Sequence, residues 1–116
     1  MLRILLVEDS ADDAALLRLE LEDAGLRFDL RQVASEEALL QSLETFEPDV
    51  AVSDMNLPGY CGLDALALLH QRYPAIPLVL FTGAGCEADL PPTATVLEKS
   101  ELPRLAALLA ALPPRR

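Results

Sequence analysis

Aromatic residues are scarce in this sequence of 116 residues, and tryptophan is absent. Phenylalanine and tyrosine together make up 4% of the chain, whereas apolar residues of all kinds make up 52%. We therefore expect a core built from leucine, alanine and valine rather than from aromatic rings. A chain of this length can bury one such core, which favours a single domain.

Basic residues are also few, because nine lysines and arginines stand against 19 acidic residues and the formal charge is −10. A surface of this sign repels nucleic-acid phosphates and anionic lipids, so the composition argues against both as direct partners. It favours basic protein surfaces and divalent cations instead, although an excess of acid also serves solubility alone.

Cysteines and long apolar runs are lacking as well. The two cysteines, Cys61 and Cys86, are too few for a disulfide scaffold and favour a reducing compartment. We expect them to be inert side chains rather than a redox switch. No apolar run approaches the roughly 20 residues of a membrane-spanning helix, and no signal peptide precedes the first strand-like run. These absences lead us to expect a cytoplasmic protein.

Five short segments of the sequence predict β-strands. Four of them are mainly apolar, whereas the second carries the alternating charges Asp29 and Arg31, which suits an edge strand. The expected strands are residues 3–7, 29–33, 50–54, 78–82 and 95–98. Helical patterns separate most of them, and strands that alternate with helices form a parallel sheet with helices on both faces. Ligands of such α/β sheets bind outside the carboxyl ends of the strands.

The predicted helices carry recognisable end signals. The first is expected to begin at Ser10 or Asp12, either of which can cap it, and to end at Gly25. Its predicted apolar face consists of four leucines, Leu16, Leu17, Leu19 and Leu21. Ser35 is expected to cap the second helix, and the last helix is expected over residues 101–112.

Three acidic residues follow two of the apolar runs. Glu8 and Asp9 come after the first run, and Asp54 ends the third. Because the carboxyl ends of parallel strands share one edge of a sheet, we expect the three carboxylates to converge there. Carboxylates this close repel one another unless a cation lies among them, and oxygen ligands of this kind suit Mg²⁺. The sequence therefore predicts a magnesium site that performs phosphate chemistry.

Four segments, each at the end of a successive predicted strand, together resemble the receiver domain of two-component response regulators. They are Val7-Glu8-Asp9-Ser10, Asp54-Met55-Asn56-Leu57-Pro58-Gly59, Phe81-Thr82-Gly83 and Lys99. Each segment alone is weakly specific, but the four occur in the order of the family, and the resemblance covers nearly the whole chain. It implies a flavodoxin-like sheet with strand order 2-1-3-4-5 and one receiver domain over residues 1–116.

The resemblance implies a phosphorylation site with a bound metal. Asp54 is expected to accept the phosphoryl group and become an aspartyl phosphate. Glu8 and Asp9 are expected to hold Mg²⁺, with Asp54 itself and the backbone carbonyl of Asn56 as the further ligands.

Thr82 and Lys99 complete the site that the resemblance implies. The Thr82 hydroxyl is expected to donate a hydrogen bond to a phosphoryl oxygen. Lys99, the only lysine in the chain, supplies a compact positive charge that can pair with a phosphoryl oxygen or with Asp54.

A receiver domain takes its phosphoryl group from a histidine kinase or a phosphotransfer protein, so we expect such a partner. The domain would not be an enzyme, beyond catalysing its own phosphorylation from small donors and its own dephosphorylation. We expect output through protein contacts, with a homodimer as one arrangement. No output domain follows the last predicted helix, which suits a stand-alone regulator or a fragment of a longer protein.

The sequence departs from the family at three places near the expected output surface. Residues 83–92 contain two glycines and two prolines, so we expect the fourth helix of the family to be missing or reduced to about one turn. Val96 stands where receivers often carry an aromatic switch residue. Ser100 follows Lys99 where a proline is common, which leaves open whether the peptide bond between them is cis. These departures predict intact phosphoacceptance with an atypical output.

Other functions remain as alternatives. Small Mg²⁺-dependent phosphohydrolases with an aspartyl nucleophile need a second acid two residues later, and Asn56 cannot serve as one. A flavin-binding domain of this fold would need hydrogen-bond donors in its first loop, where Glu8 and Asp9 would repel a phosphate. A degenerate receiver that acts as a phosphorylation-independent interaction module stays open.

Overall fold

The computed structural model describes residues 2–57, 59–82 and 93–112. Five parallel strands form its main sheet, and we number them in chain order. They are β1 (Leu2–Val7), β2 (Phe28–Val33), β3 (Val50–Asp54), β4 (Leu78–Thr82) and β5 (Ala94–Glu98). Their spatial order is β2-β1-β3-β4-β5, so the strands and the order predicted from the sequence are confirmed.

Four α-helices lie among the described residues and cover both faces of the sheet. They are α1 (Ala11–Asp23), α2 (Glu36–Leu43), α3 (Gly62–Arg72) and α4 (Leu102–Ala110). Helices α1 and α4 pack on one face, and α2 and α3 pack on the other, so the sheet separates two apolar cores. The prediction that the fourth helix of the family is missing or short concerns residues 83–92, which lie outside the described residues. Within the described part of the chain, no helix is long and apolar enough to cross a membrane.

Strand β3 lies at the centre of the sheet, and all five of its residues are buried. A strand covered by helices on both faces must be apolar on both sides, which explains the continuous run Val50-Ala51-Val52. The run ends in two polar residues, Ser53 and Asp54, which are also buried. Burial of polar groups costs free energy unless they form hydrogen bonds, so two buried polar residues at this end of β3 indicate a role other than packing.

The ends of helix α1 follow the signals in the sequence. The Ser10 hydroxyl caps the start by accepting a hydrogen bond from the Asp13 N–H at 3.2 Å. At the other end, Gly25 adopts a φ of 79°, a conformation that favours glycine. The Leu26 N–H then donates to the Leu21 carbonyl at 3.1 Å, which completes a Schellman motif. The two caps direct α1 from the carboxyl edge of the sheet back to its amino edge.

The apolar face predicted for α1 was wrong in part. Leu17 and Leu21 are buried together with Ala14, but Leu16 and Leu19 are 54% and 56% exposed. Residues 14, 17 and 21 lie on one stripe of a helix with 3.6 residues per turn, whereas residues 16 and 19 lie on the opposite side. Four leucines in six residues cannot share one face, and the presence of Ala14 in the core decides which stripe packs inward.

Candidate functional site

The turn after β1 holds Glu8 in place through its backbone and its side chain. The Glu8 N–H donates to the Val33 carbonyl at 2.9 Å, which extends the β1–β2 ladder by one residue. The Glu8 carbonyl accepts from the side-chain amide of Gln32 at 2.8 Å. One carboxylate oxygen of Glu8 accepts from the Ser10 N–H at 3.1 Å. The side chain of Glu8 is therefore buried and fixed before any ligand arrives.

The end of β3 holds Asp54 equally firmly. The β3–β4 ladder continues one residue past Asp54, because the Met55 N–H donates to the Phe81 carbonyl at 2.8 Å. The Ser53 hydroxyl donates to the Asp54 carbonyl at 3.0 Å. Asp54 is buried at the carboxyl edge of the sheet, next to the turn that carries Glu8.

The structure brings the three acidic side chains together. One carboxylate oxygen each from Glu8, Asp9 and Asp54 lie within 4.8 Å of one another. Glu8 and Asp54 are buried, whereas Asp9 is exposed. Because three anionic oxygens so close in a partly buried place need positive charge, and because hard cations prefer oxygen ligands, this group fits Mg²⁺. Glu8 and Asp54 supply the buried side of the site, and Asp9 closes it towards solvent.

Thr82 lies at the end of β4, where its side chain is buried and its backbone pairs with Glu98 of β5. Lys99 follows β5 directly and begins a short 3₁₀ turn, Lys99–Glu101, that leads into α4. Its side chain lies outside the described residues. No peptide bond in the described ranges is cis, so the bond between Lys99 and Ser100 is trans. Thr82 and Lys99 thus end neighbouring strands at the acidic edge, and their roles stay predictions.

The junction after Lys99 is braced by its own hydrogen bonds. The Glu98 N–H donates to one Glu101 carboxylate oxygen at 2.9 Å, and Arg104 donates to the other at 2.5 Å. The hydrogen bond from Glu98, with a smaller contribution from Arg104, holds the pKa of Glu101 below its usual range. Because the pKa is lowered in the folded state, this bracing is present above the ordinary glutamate pKa and is lost as the pH falls through the lowered value.

Asn56 belongs to a small hairpin between β3 and α3. Residues Asn56–Leu57 pair antiparallel with Tyr60–Cys61, and Gly59 takes a φ of 69° in the turn between them. This pairing was not foreseen from the sequence. The hairpin fixes the backbone of Asn56, the position of the expected carbonyl ligand, although the side chain of Asn56 lies outside the described residues.

Gly62 is a residue of the site that the sequence analysis passed over. It begins α3, and its N–H donates to the Met55 carbonyl at 2.9 Å. A Cβ at this position would lie 2.0 Å from the Asp54 carbonyl oxygen, far closer than any real contact. The sequence contains a second glycine, Gly62, three residues after Gly59, and Gly59 alone satisfies the turn. A glycine without a turn of its own indicates a close approach between backbones.

An apolar cavity of about 80 Å³ adjoins the acidic group. It is lined by Glu8 and, among others, by Leu6, Leu17, Phe81 and Leu102. Glu8 therefore faces the acidic group on one side and leucine-rich surface between α1 and α4 on the other. A cation held by Glu8 would therefore lie beside apolar side chains, where its attraction to the carboxylates is stronger than in bulk water.

The fold and the acidic edge together define an α/β protein whose ligand site lies at the carboxyl ends of parallel strands. Residues 4–96 match the family model of the response regulator receiver domain. The chain therefore belongs to the receiver domain family of two-component response regulators, and the resemblance seen in the sequence is confirmed. Domains of this family are phosphoacceptors and generally not enzymes. Membership implies a histidine kinase or a phosphotransfer protein as the partner.

Curated relatives are longer than this chain. The regulatory protein LuxO of Vibrio cholerae serotype O1 is 34% identical over 80 residues, which cover 69% of this chain and 17% of LuxO. A protein-glutamate methylesterase/protein-glutamine glutaminase of Cereibacter sphaeroides is 35% identical over 89 residues, or 74% of this chain and 24% of that protein. The chain thus spans a quarter or less of the length of these relatives.

A solved structure agrees with the fold over nearly the whole chain. The Mn²⁺-bound form of the response regulator Rcp1 superimposes with a TM-score of 0.80 and 23% sequence identity. The alignment covers 98% of each chain. At this level of identity the likeness establishes the fold, which agrees with the strand order described above.

Proposed function

We propose that residues 1–116 form one receiver domain that a partner histidine kinase phosphorylates on Asp54, with Mg²⁺ bound beside it. The observation that carries this proposal is the convergence of carboxylate oxygens from Glu8, Asp9 and Asp54 within 4.8 Å. Acidic residues that serve only solubility are exposed to water, whereas two of these three acids are buried at the ends of β1 and β3. Rcp1, which shares the fold, was solved in a Mn²⁺-bound form, which agrees with a divalent cation in a domain of this fold.

In the proposed reaction, a carboxylate oxygen of Asp54 attacks the phosphorus of a phosphohistidine. An O–P bond forms, the P–N bond breaks, and the departing histidine nitrogen keeps the electron pair and takes up a proton. Glu8, Asp9 and the Asn56 carbonyl would hold Mg²⁺, which supplies charge neutralisation for the phosphoryl oxygens. The Thr82 hydroxyl donates to one phosphoryl oxygen, and Lys99 pairs with another.

The same arrangement supports phosphorylation without a kinase. Small phosphodonors with a good leaving group need only a positioned carboxylate and charge neutralisation, which the acidic edge supplies with its metal. Water can later attack the acyl phosphate, and we propose that the same site promotes this dephosphorylation. Both activities act on the side chain of Asp54, and together they amount to slow hydrolysis of the small phosphodonor.

We further propose that the output is atypical. Val96 of β5 is half-buried against the core on the α2–α3 side, and a valine has no ring that could rotate in response to Thr82. Residues 83–92 lie outside the described residues, so the helix expected to be missing there stays a prediction. Signalling through protein contacts in the cytoplasm fits the charge of −10 and requires no direct contact with nucleic acid or membrane. A homodimer is a further candidate arrangement.

The proposal is tested by incubating the chain with acetyl phosphate or carbamoyl phosphate and Mg²⁺, followed by intact-mass measurement. We expect a gain of one phosphoryl group that requires Mg²⁺, is prevented by EDTA and is removed by hydroxylamine, as an acyl phosphate should be. An unlabelled chain, under conditions that label an ordinary receiver domain, would overturn the phosphoacceptor function. It would favour the alternative, a receiver that acts as an interaction module independent of phosphorylation.

The Asp9→Asn variant is expected to lose most of its affinity for Mg²⁺. Loss of a metal ligand should lower the affinity for Mg²⁺ by at least the roughly 10- to 100-fold that mutation of an outer-shell hydrogen-bond partner causes. For the wild type, Mg²⁺ at a hundred times its dissociation constant should stabilise the fold by about 2.7 kcal/mol. Thermal unfolding with and without Mg²⁺ measures both effects. The matched control is Asp12→Asn, which removes an exposed acid of α1 and should keep the Mg²⁺-dependent shift in Tm; an equal loss in both variants would contradict the site.

A further inference from the structure

We propose that Ser53 and Gly62 are positioning residues of the phosphorylation site, because both contact the carbonyl oxygen of Asp54 and so orient the backbone that leads to Asn56. This inference rests on the proposed function. It concerns how the backbone orients the Asn56 carbonyl towards a metal. It assigns that role to Ser53 and Gly62, which would contact neither the metal nor the phosphoryl group.

Ser53 is a buried hydroxyl in a strand that is otherwise apolar up to Asp54. Its side chain is fully buried, and its register in β3 matches that of Ala51, which belongs to the core beneath α2 and α3. A hydroxyl placed there costs free energy unless it forms a hydrogen bond. The Ser53 hydroxyl donates a hydrogen bond to the Asp54 carbonyl oxygen at 3.0 Å. An alanine or valine would suit this position better if packing were the only demand.

Gly62 approaches the same carbonyl oxygen. The ideal Cβ would stand 2.0 Å from that oxygen and 2.9 Å from both the Asp54 carbonyl carbon and the Met55 Cα. All three atoms belong to the backbone and cannot move aside as the tip of a flexible side chain could. Any residue other than glycine at 62 therefore displaces either the first turn of α3 or the peptide between Asp54 and Met55.

These contacts complete a continuous set of restraints from Asp54 to Asn56. The Asp54 carbonyl is held by Ser53, the Met55 N–H donates to Phe81 at 2.8 Å, and the Met55 carbonyl accepts from Gly62 at 2.9 Å. The next backbone group is Asn56, which pairs with Cys61. Asp54 and Asn56 must both face one small ion, and Mg²⁺ tolerates little departure from octahedral geometry. A backbone fixed in advance avoids the entropy cost of arranging these ligands when the ion binds.

The test compares Ser53→Ala with Ser35→Ala, which removes the cap of α2, a bond of 3.1 Å from the Ala38 N–H. Each variant loses one hydroxyl hydrogen bond, which is buried at Ser53 and exposed at Ser35, so the comparison rests on affinity for Mg²⁺ rather than on stability. Titration of ¹⁵N-labelled protein with Mg²⁺ alone gives its dissociation constant from amide shifts. We expect Ser53→Ala to raise this constant roughly three- to tenfold, the scale of one hydrogen bond, and Ser35→Ala to leave it unchanged.

Gly62→Ala should have the larger effect, with Gly25→Ala as its control. Gly25 has a positive φ but no atom within 4 Å of an added Cβ, so alanine there strains a helix end without touching Asp54. Gly62→Ala is expected to raise the Mg²⁺ dissociation constant more than Ser53→Ala does. Where Gly62→Ala does not fold, Ser53→Ala decides the question alone. An unchanged Mg²⁺ dissociation constant in Ser53→Ala would overturn the proposal.

A second readout separates this inference from the proposed function. Hydrogen exchange of the Met55 amide in metal-free protein reports the peptide itself, and we expect Ser53→Ala to accelerate it relative to Ser35→Ala. If the wild type binds no Mg²⁺ while Ser53→Ala still accelerates this exchange, the proposed function is wrong and the positioning stands. If Met55 exchanges equally fast in both variants, the positioning is wrong whatever the chain does with phosphate.

Discussion

The Asp54→Asn variant is expected to gain no phosphoryl mass when acetyl phosphate and Mg²⁺ fully label the wild type. Asparagine has the shape of aspartate but lacks the anionic oxygen that attacks phosphorus, so the loss should be complete rather than partial. The side chain lies buried at the end of β3, where a similar shape keeps the packing. Intact-mass spectrometry measures the outcome directly.

The matched control for this variant is Asp64→Asn. Asp64 is an exposed acid in the first turn of α3, the helix that starts near Asp54, and it is not one of the three converging acids. It undergoes the same chemical change and should be labelled like the wild type. Label that persists in Asp54→Asn would transfer the phosphoacceptor role to another acid, and peptide mapping would locate it. Label lost equally in both variants would point to a general effect of charge.

The Leu21→Ala variant is expected to lose about 2–5 kcal/mol of unfolding free energy. Leu21 is fully buried in the core between α1, α4 and the sheet, so its truncation removes apolar contacts and leaves a cavity. This loss is a large part of the roughly 5–15 kcal/mol that stabilises a typical domain. Urea unfolding followed by far-ultraviolet circular dichroism measures it, since the chain has no tryptophan to report by fluorescence.

Leu19→Ala is the control for this prediction, because it makes the same change two residues away on the same helix. Leu19 is 56% exposed, so we expect its truncation to change stability by no more than about 0.5 kcal/mol. The difference between the two variants isolates burial from helix propensity. Equal losses would mean that the inward stripe of α1 is not the one described above.

The contrast between these leucines shows where sequence patterns reach their limit. The run Leu16-Leu17 and the pair Leu19 and Leu21 indicated a helix correctly, but they could not say which side packs. Both stripes of α1 contain leucine, and the choice depends on Ala14 and on the contact between α1 and α4. That contact joins residues about 90 positions apart in the chain, and no local pattern records it.

The strands were predictable almost to the residue because their cause is local. A strand covered on both faces is apolar throughout, and polar residues or turns end it, so β3 and β4 could be placed with the bounds that the structure has. The convergence of Glu8, Asp9 and Asp54 followed from the same reasoning, since parallel strands bring their carboxyl ends to one edge. The strand order itself came from the resemblance and not from the pattern.

Gly62 and Ser53, by contrast, could not be assigned a role in the site from the sequence. In the sequence, Gly62 is a second glycine soon after Gly59, and Ser53 is a small residue at the end of a strand, but neither pattern says which atom the residue contacts. Their proposed role rests on two contacts with one atom. A Cβ added to Gly62 would lie 2.0 Å from the Asp54 carbonyl oxygen, and the Ser53 hydroxyl donates a hydrogen bond to the same oxygen. The Gly62 contact exists only once α3 has docked against the end of β3, whereas the Ser53 hydrogen bond joins neighbouring residues of β3.

Residue chemistry and spacing by themselves determined that this chain is an α/β protein in which Glu8, Asp9 and Asp54 converge at one edge of the sheet. These features depend on local apolar periodicity and on the kinds of atoms that side chains carry, and both are visible along the chain. The tertiary structure alone decided which face of α1 is buried, that residues 56–57 pair with residues 60–61, and how closely Gly62 approaches the Asp54 carbonyl. These features depend on how close distant segments come, which is set by packing of the whole domain.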